Sequence, residues 1–160
     1  MNVAIIFHSL SGQTKKLAGR MAARLIVAGH SVKEIELRTN KPIKSGTIRQ
    51  PLDFEVTNLP DLAEFDAICV GGPVWAFGPS TVAYKAILQM PALKGKKALS
   101  FVTMGFPLKG MGGTAAIRHM NKALTDKGAG VLPGIIVPKM FHNFDLLLEK
   151  AAADCVRSFS

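Results

Sequence analysis

The chain opens with an unbroken apolar run over residues 3–7, then a polar turn, then apolar positions at Leu17, Met21 and Leu25 with a separate cationic stripe at Lys16, Arg20 and Arg24. A short continuous apolar run is the pattern of a strand buried on both faces, and recurrence every three to four residues is that of an amphipathic helix. The pattern predicts a strand over 3–7, a helix over 14–28 ended by Gly29, and a second strand over 31–37 carrying Val32, Ile35 and Leu37. Residues 38–65 break the rhythm with Pro42, Pro51 and Pro60, which predicts an irregular connection with a short helix at 61–65. Regularity returns with strands over 66–70, 97–103 and 131–137 and helices over 79–90, 114–127 and 144–157.

Strands that alternate with helices require crossovers, and right-handed crossovers cover both faces of a parallel sheet. The fold class expected is therefore α/β, a doubly wound five-stranded parallel sheet of order 2-1-3-4-5. Its 160 residues, 48% of them apolar, suffice for a single domain over 1–160, and no internal repeat divides them. In such a sheet ligands bind beyond the carboxyl ends of the strands, where the winding reverses between strands one and three. The loops after strands one, three and four are expected to converge there.

The first of these loops is His8-Ser9-Leu10-Ser11-Gly12-Gln13-Thr14, placed between a strand and a helix start. A helix start leaves backbone N–H groups unpartnered and carries partial positive charge, so it attracts an anion. Ser9, Ser11 and Thr14 add hydroxyls, Gly12 permits close approach, and Lys15 and Lys16 bias the turn toward phosphate. The loop lacks the Lys-Ser/Thr pair of a nucleoside triphosphate loop and the three glycines of a dinucleotide fingerprint. Taken alone, it reads equally as a helix cap.

The second loop, Gly71-Gly72-Pro73-Val74-Trp75-Ala76-Phe77-Gly78-Pro79, holds the only tryptophan. Trp75 there can stack on a flat ring or lie buried under the next helix. The third runs from Thr103-Met104-Gly105-Phe106 to Gly113 and contains four glycines, which suits either a ligand-lining loop or a mobile one.

Taken together, Ser-x-Ser-Gly-x-Thr after strand one, Gly-x-Pro-x-Trp after strand three and the element order over nearly the whole chain resemble the flavodoxin-like family. The resemblance implies FMN as cofactor. It implies that Ser9, Leu10, Ser11, Gly12, Gln13 and Thr14 hold the phosphate, while Pro73, Val74, Trp75, Ala76, Phe77 and Gly78 run along the isoalloxazine, with Trp75 beside the ring. Thr103, Met104, Gly105 and Phe106 would line its second side, Phe106 covering it. The implied activity is that of an oxidoreductase or electron-transfer protein, passing electrons from NAD(P)H or a reductase to a quinone or similar small acceptor. A non-enzymatic module reading another phosphate ligand or a protein partner is the alternative. No catalytic protein residue is assigned, since the flavin carries the redox chemistry.

Composition adjusts this picture in two places. The net charge of +9 departs from the acidic character typical of flavodoxin carriers and points to an anionic partner or substrate. Its cations are dispersed with few aromatics among them, so no nucleic-acid partner is expected. The four histidines lack metal-ligand spacing, His8 alone falling near the crevice, and no metal is expected. No apolar stretch is long enough to cross a bilayer and no leader pattern is visible, so a cytoplasmic location without membrane insertion is expected. Cys69 and Cys155 read as reduced structural thiols. The apolar character of 103–113 and 140–144 makes a homodimer an expectation to test.

Overall fold

A computed structural model describes residues 1–160. Its parallel core runs β2-β1-β3-β5, built from β1 (Asn2–Phe7), β2 (Ser31–Glu36), β3 (Ala67–Trp75) and β5 (Lys97–Met104). The fifth position is shared by two short pieces, β6 (Gly130–Val131) and β7 (Ile135–Pro138), both paired parallel to β5. Pro133 lies in the gap between them, and a proline can give no N–H to a ladder. Strand order thus follows the sequence expectation, whereas the strand count is seven.

The additional strand is β4 (Gly78–Pro79), which folds back antiparallel on the end of β3. Its two-residue turn places Ala76 and Phe77 at φ of 47° and 62°. Positive φ at both central residues is the type I′ pattern, normally supplied by Asn-Gly or Asp-Gly. An alanine and a phenylalanine give no such signal in the sequence.

Side chains alternate across each strand, so β1 sends Val3, Ile5 and Phe7 to one face and Ala4 and Ile6 to the other. The first face is covered by α1 (Gln13–Val27) and α4 (Phe144–Phe159). Leu17, Met21 and Leu25 of α1 are completely buried there, each contributing about 1.5–3 kcal/mol by removal from water. The cationic stripe of α1 turns toward α4: Arg20 pairs with Glu149, and Arg24 Nη2 lies 2.8 Å from Glu149 Oε2. The Arg24 and Arg20 guanidiniums hold the Glu149 carboxyl below the usual carboxylate range. Cys69 and Cys155 are buried in this core as free thiols, and hydrogen bonding to Cys155, with burial, pushes the Cys69 thiol up.

The second face carries α2 (Thr81–Gln89) and α3 (Gly113–Asp126). Residues 38–65 complete it without an α-helix, contributing Phe54, Val56, Leu62 and Phe65 to the core. The segment contains one 3-10 turn, Leu62–Glu64, within the predicted 61–65. Its anchor is Gln89, whose amide donates to Val56 O at 2.9 Å and accepts from Val56 N at 2.8 Å. Gln89→Ala leaves both groups in a partly buried place without partners, so about 2 kcal/mol of stability is expected to go. Protease cleavage within 40–55 should accelerate in that variant before global unfolding does, and cleavage rates unchanged from the parent would refute the anchor.

Candidate ligand crevice

The crevice lies beyond the carboxyl ends of β1, β3, β5 and β7. Its polar end is built on the start of α1. Gly12 caps that helix at φ 90°, with no side-chain cap and no acidic residue in the first turn. The Lys15 N–H donates to Ser9 Oγ at 3.3 Å and the Lys16 N–H to Gly12 O at 3.1 Å, while the N–H groups of Gln13 and Thr14 donate to no protein acceptor. Two unpartnered donors at a positive helix end favour an anion. Thr14 contributes differently from the sequence expectation. Its hydroxyl is buried and hydrogen-bonded to Thr103 Oγ1 at 2.8 Å, so it ties β5 to α1.

Beside this helix start lies a cavity of about 210 Å³ lined by Ser11, Gln13, Pro73, Thr103, Lys139 and Phe144, among others. Gln13 lines this cavity, and its Oε1 is buried with no hydrogen-bond partner, the only such side-chain atom in the chain. The cavity shares Val74, Met104 and Gly105 with a second one of about 200 Å³, whose lining includes Phe77, Phe106, Met111 and Met140. Two adjoining cavities therefore pass from hydroxyls, amides and a lysine to an apolar end.

At the apolar end the rings of Phe77 and Phe106 face each other, 5.8 Å between centroids and 2° from parallel, and both are exposed. Parallel rings at this centroid distance are an offset stack, so the pair must open to admit a flat ring between them. Phe77 is held in position by the strained turn and by Gly112. A Cβ on Gly112 would lie 2.7 Å from Phe77 Cα and 2.8 Å from Val74 Cγ1, so only glycine lets the start of α3 meet the hairpin.

Trp75 corrects a sequence expectation. It ends β3 and is only 7% exposed, so it belongs to no open loop. Continuation of the strand through Pro73 and Val74 carries the indole inward, edge-on to the His8 ring with 5.0 Å between centroids and 86° between planes. In the second and third loops the exposed aromatics are Phe77 and Phe106. Of the other expected site residues, Ser9 and Gly12 form the helix start, Leu10 projects outward, and Ala76 and Gly78 flank Phe77 in the hairpin.

His8 Nδ1 lies 2.8 Å from Ser80 Oγ, which accepts the Ala83 N–H at 3.3 Å and so caps α2. The direction of the His8–Ser80 bond follows the ring tautomer, since the hydroxyl can both donate and accept. Desolvation lowers the His8 pKa to about 4, against a weaker upward pull from Glu36. The unfolded chain takes this proton near 6.5 and the folded chain near 4, so stability is full above the upper value and falls as pH drops through that window. Tm measured against pH should fall less steeply there in His8→Gln than in the parent; parallel curves would refute the buried neutral histidine.

Sequence reasoning missed Lys139, Met140 and Met111. The first two follow β7, and the rule that located the other loops, applied to the last strand, points to them.

No protein-family model and no curated relative matches the chain. Among solved structures, oxidised flavodoxin 1 from Bacillus cereus is 22% identical over 100% of both chains, with a TM-score of 0.65. Oxidised flavodoxin 2 from Bacillus cereus is 17% identical over 98% of this chain and 99% of its own, with a TM-score of 0.68. A flavoprotein in complex with FMN from Lactobacillus acidophilus NCFM is 19% identical, covering 94% of this chain and 98% of its own, with a TM-score of 0.62. Likeness at these identities is a likeness of backbone, and it agrees with the parallel order and the two helical layers: the chain has the flavodoxin-like fold.

Proposed function

We propose that the chain, acting as one domain, binds FMN and transfers electrons from NAD(P)H or a reductase to a quinone or similar acceptor. The observation that carries this reading is the pair of adjoining cavities, with an anion-favouring helix start at one end and paired aromatic rings at the other. The phosphate is assigned to Ser9, Ser11, Gly12 and the free N–H groups of Gln13 and Thr14, with Lys139 near the same end. Gln13 borders the ribityl chain, and Phe77 and Phe106 open to flank the isoalloxazine. When bound, FMN supplies hydride and single-electron chemistry. The chain's own residues bind the phosphate, orient the ring and exclude water with Val74, Met104, Met111 and Met140.

The test is reductive titration of the FMN-loaded protein under anaerobic conditions with NADH, NADPH and a ferredoxin-type reductase, followed by benzoquinone. The account expects bleaching by at least one donor and recovery of the oxidised spectrum by one quinone equivalent, which takes up two electrons and two protons. Absence of bleaching with every donor would remove the electron-transfer reading.

A further inference from the structure

Around the crevice mouth, Leu10, Phe77, Phe106, Leu108, Met140 and Phe141 are all exposed, Phe141 to 89%. Beside them lies a groove of about 460 Å³ between β7 and α4 that Lys109, Lys150 and His142 help to line. Neither lysine takes part in an ion pair, nor does Lys139 at the crevice, while the one carboxylate in the groove, Asp154, is paired with Arg157. Exposed apolar side chains beside unneutralised cations are costly to leave in water and mark a contact site.

We infer that this end of the molecule docks a protein whose contact face is acidic around an apolar projection. The apolar projection meets the aromatic mouth, and carboxylates meet Lys109 and Lys150 in the groove. A second copy of this chain is a poor occupant. A two-fold contact through this face would bring two sets of unneutralised lysines into one interface, between molecules that each carry +9. A flat anionic bilayer is also a poor occupant, because two of the cations line a concave groove that headgroups on a plane reach poorly. Strand addition along β7 is hindered as well, since Pro133 and Pro138 stand at its two ends. The redox nature of the partner rests on the electron-transfer reading above; its acidic face does not.

Binding is measured by calorimetry, with and without FMN, against two probes of opposite charge: an acidic plant-type [2Fe–2S] ferredoxin and a basic cytochrome c. The ferredoxin is expected to bind at about 20 mM salt and to weaken about tenfold or more by about 300 mM, while cytochrome c does not bind. Lys109→Glu with Lys150→Glu should weaken ferredoxin binding about tenfold and leave FMN affinity unchanged. Lys94→Glu with Lys97→Glu, at the opposite end of the strands, should change it less than about twofold. Preference for cytochrome c, no ferredoxin binding at low salt, or equal losses in the two double variants would overturn the docking site. So would flotation of the chain with phosphatidylserine vesicles that depended on Lys109 and Lys150 while ferredoxin binding did not. Ferredoxin binding retained by a chain that takes up no FMN would instead remove the electron-transfer reading and leave the surface standing.

Discussion

Gly12→Val is expected to raise the Kd for FMN about a hundredfold, because two charge-assisted hydrogen bonds of about 1.5 kcal/mol or more each depend on the turn it caps. Gly12 sits at φ 90°, where an L side chain costs about 1–2 kcal/mol and a β-branched one more. Crowding contributes nothing, since no atom lies within 4 Å of where a Cβ would stand. The chain escapes the strain by relaxing residues 9–12, and the Gln13 and Thr14 N–H groups then turn away from a common point. Gly29→Val is the matched control. Gly29 has φ 94° and equally open surroundings, at the other end of the same helix. Both variants should lose similar amounts of thermal stability, but only Gly12→Val should lose FMN affinity in a fluorescence titration. Equal affinities in the two variants would show that the turn holds no phosphate.

The second large effect is on the fold. Gly71 lies on β3 against the fully buried ring of Phe101 on β5, and a Cβ there would meet three ring atoms at 2.2–2.5 Å. Neither strand can withdraw, because both are central and paired on two sides. Gly71→Ala should therefore cost about 3 kcal/mol, the upper part of the usual overpacking range. In a chain of this size that lowers Tm by roughly 6–12 °C in a calorimetric scan. Adding Phe101→Leu should recover part of the loss, since the smaller side chain leaves room for the methyl group. A double variant no more stable than Gly71→Ala would mean that the ring contact is not the cause.

Sheet order, helices and both crevice-forming ends were legible in the chain because periodic burial imposes periodic sequence. Val3–Phe7 and Ala67–Val70 are apolar throughout because helices cover both faces, and Leu17, Met21 and Leu25 mark one side of α1. Less legible was whatever depended on a single dihedral or a long-range partner. The hairpin at Ala76 and Phe77 has no Asn-Gly to announce it, and so Trp75 reads as exposed when strand continuation buries it. Thr14 looks like a free hydroxyl, because its partner Thr103 lies 89 residues away. Likewise the cationic stripe at Arg20 and Arg24 does not announce its partner, Glu149, which α4 brings across from 125 or more residues away. The 38–65 connection is irregular in sequence and in structure, yet Gln89 from a distant helix orders it.

The most direct measurement is a paired titration of the purified chain with FMN and with riboflavin, followed by flavin fluorescence. Both ligands carry the ring that Phe77 and Phe106 flank, and only FMN carries the phosphate assigned to the start of α1. FMN is expected to bind about a hundredfold tighter than riboflavin or better, with its emission quenched by the aromatic pair. Equal affinity for the two, or no binding of either at micromolar concentration, would contradict the assignment of the crevice to FMN.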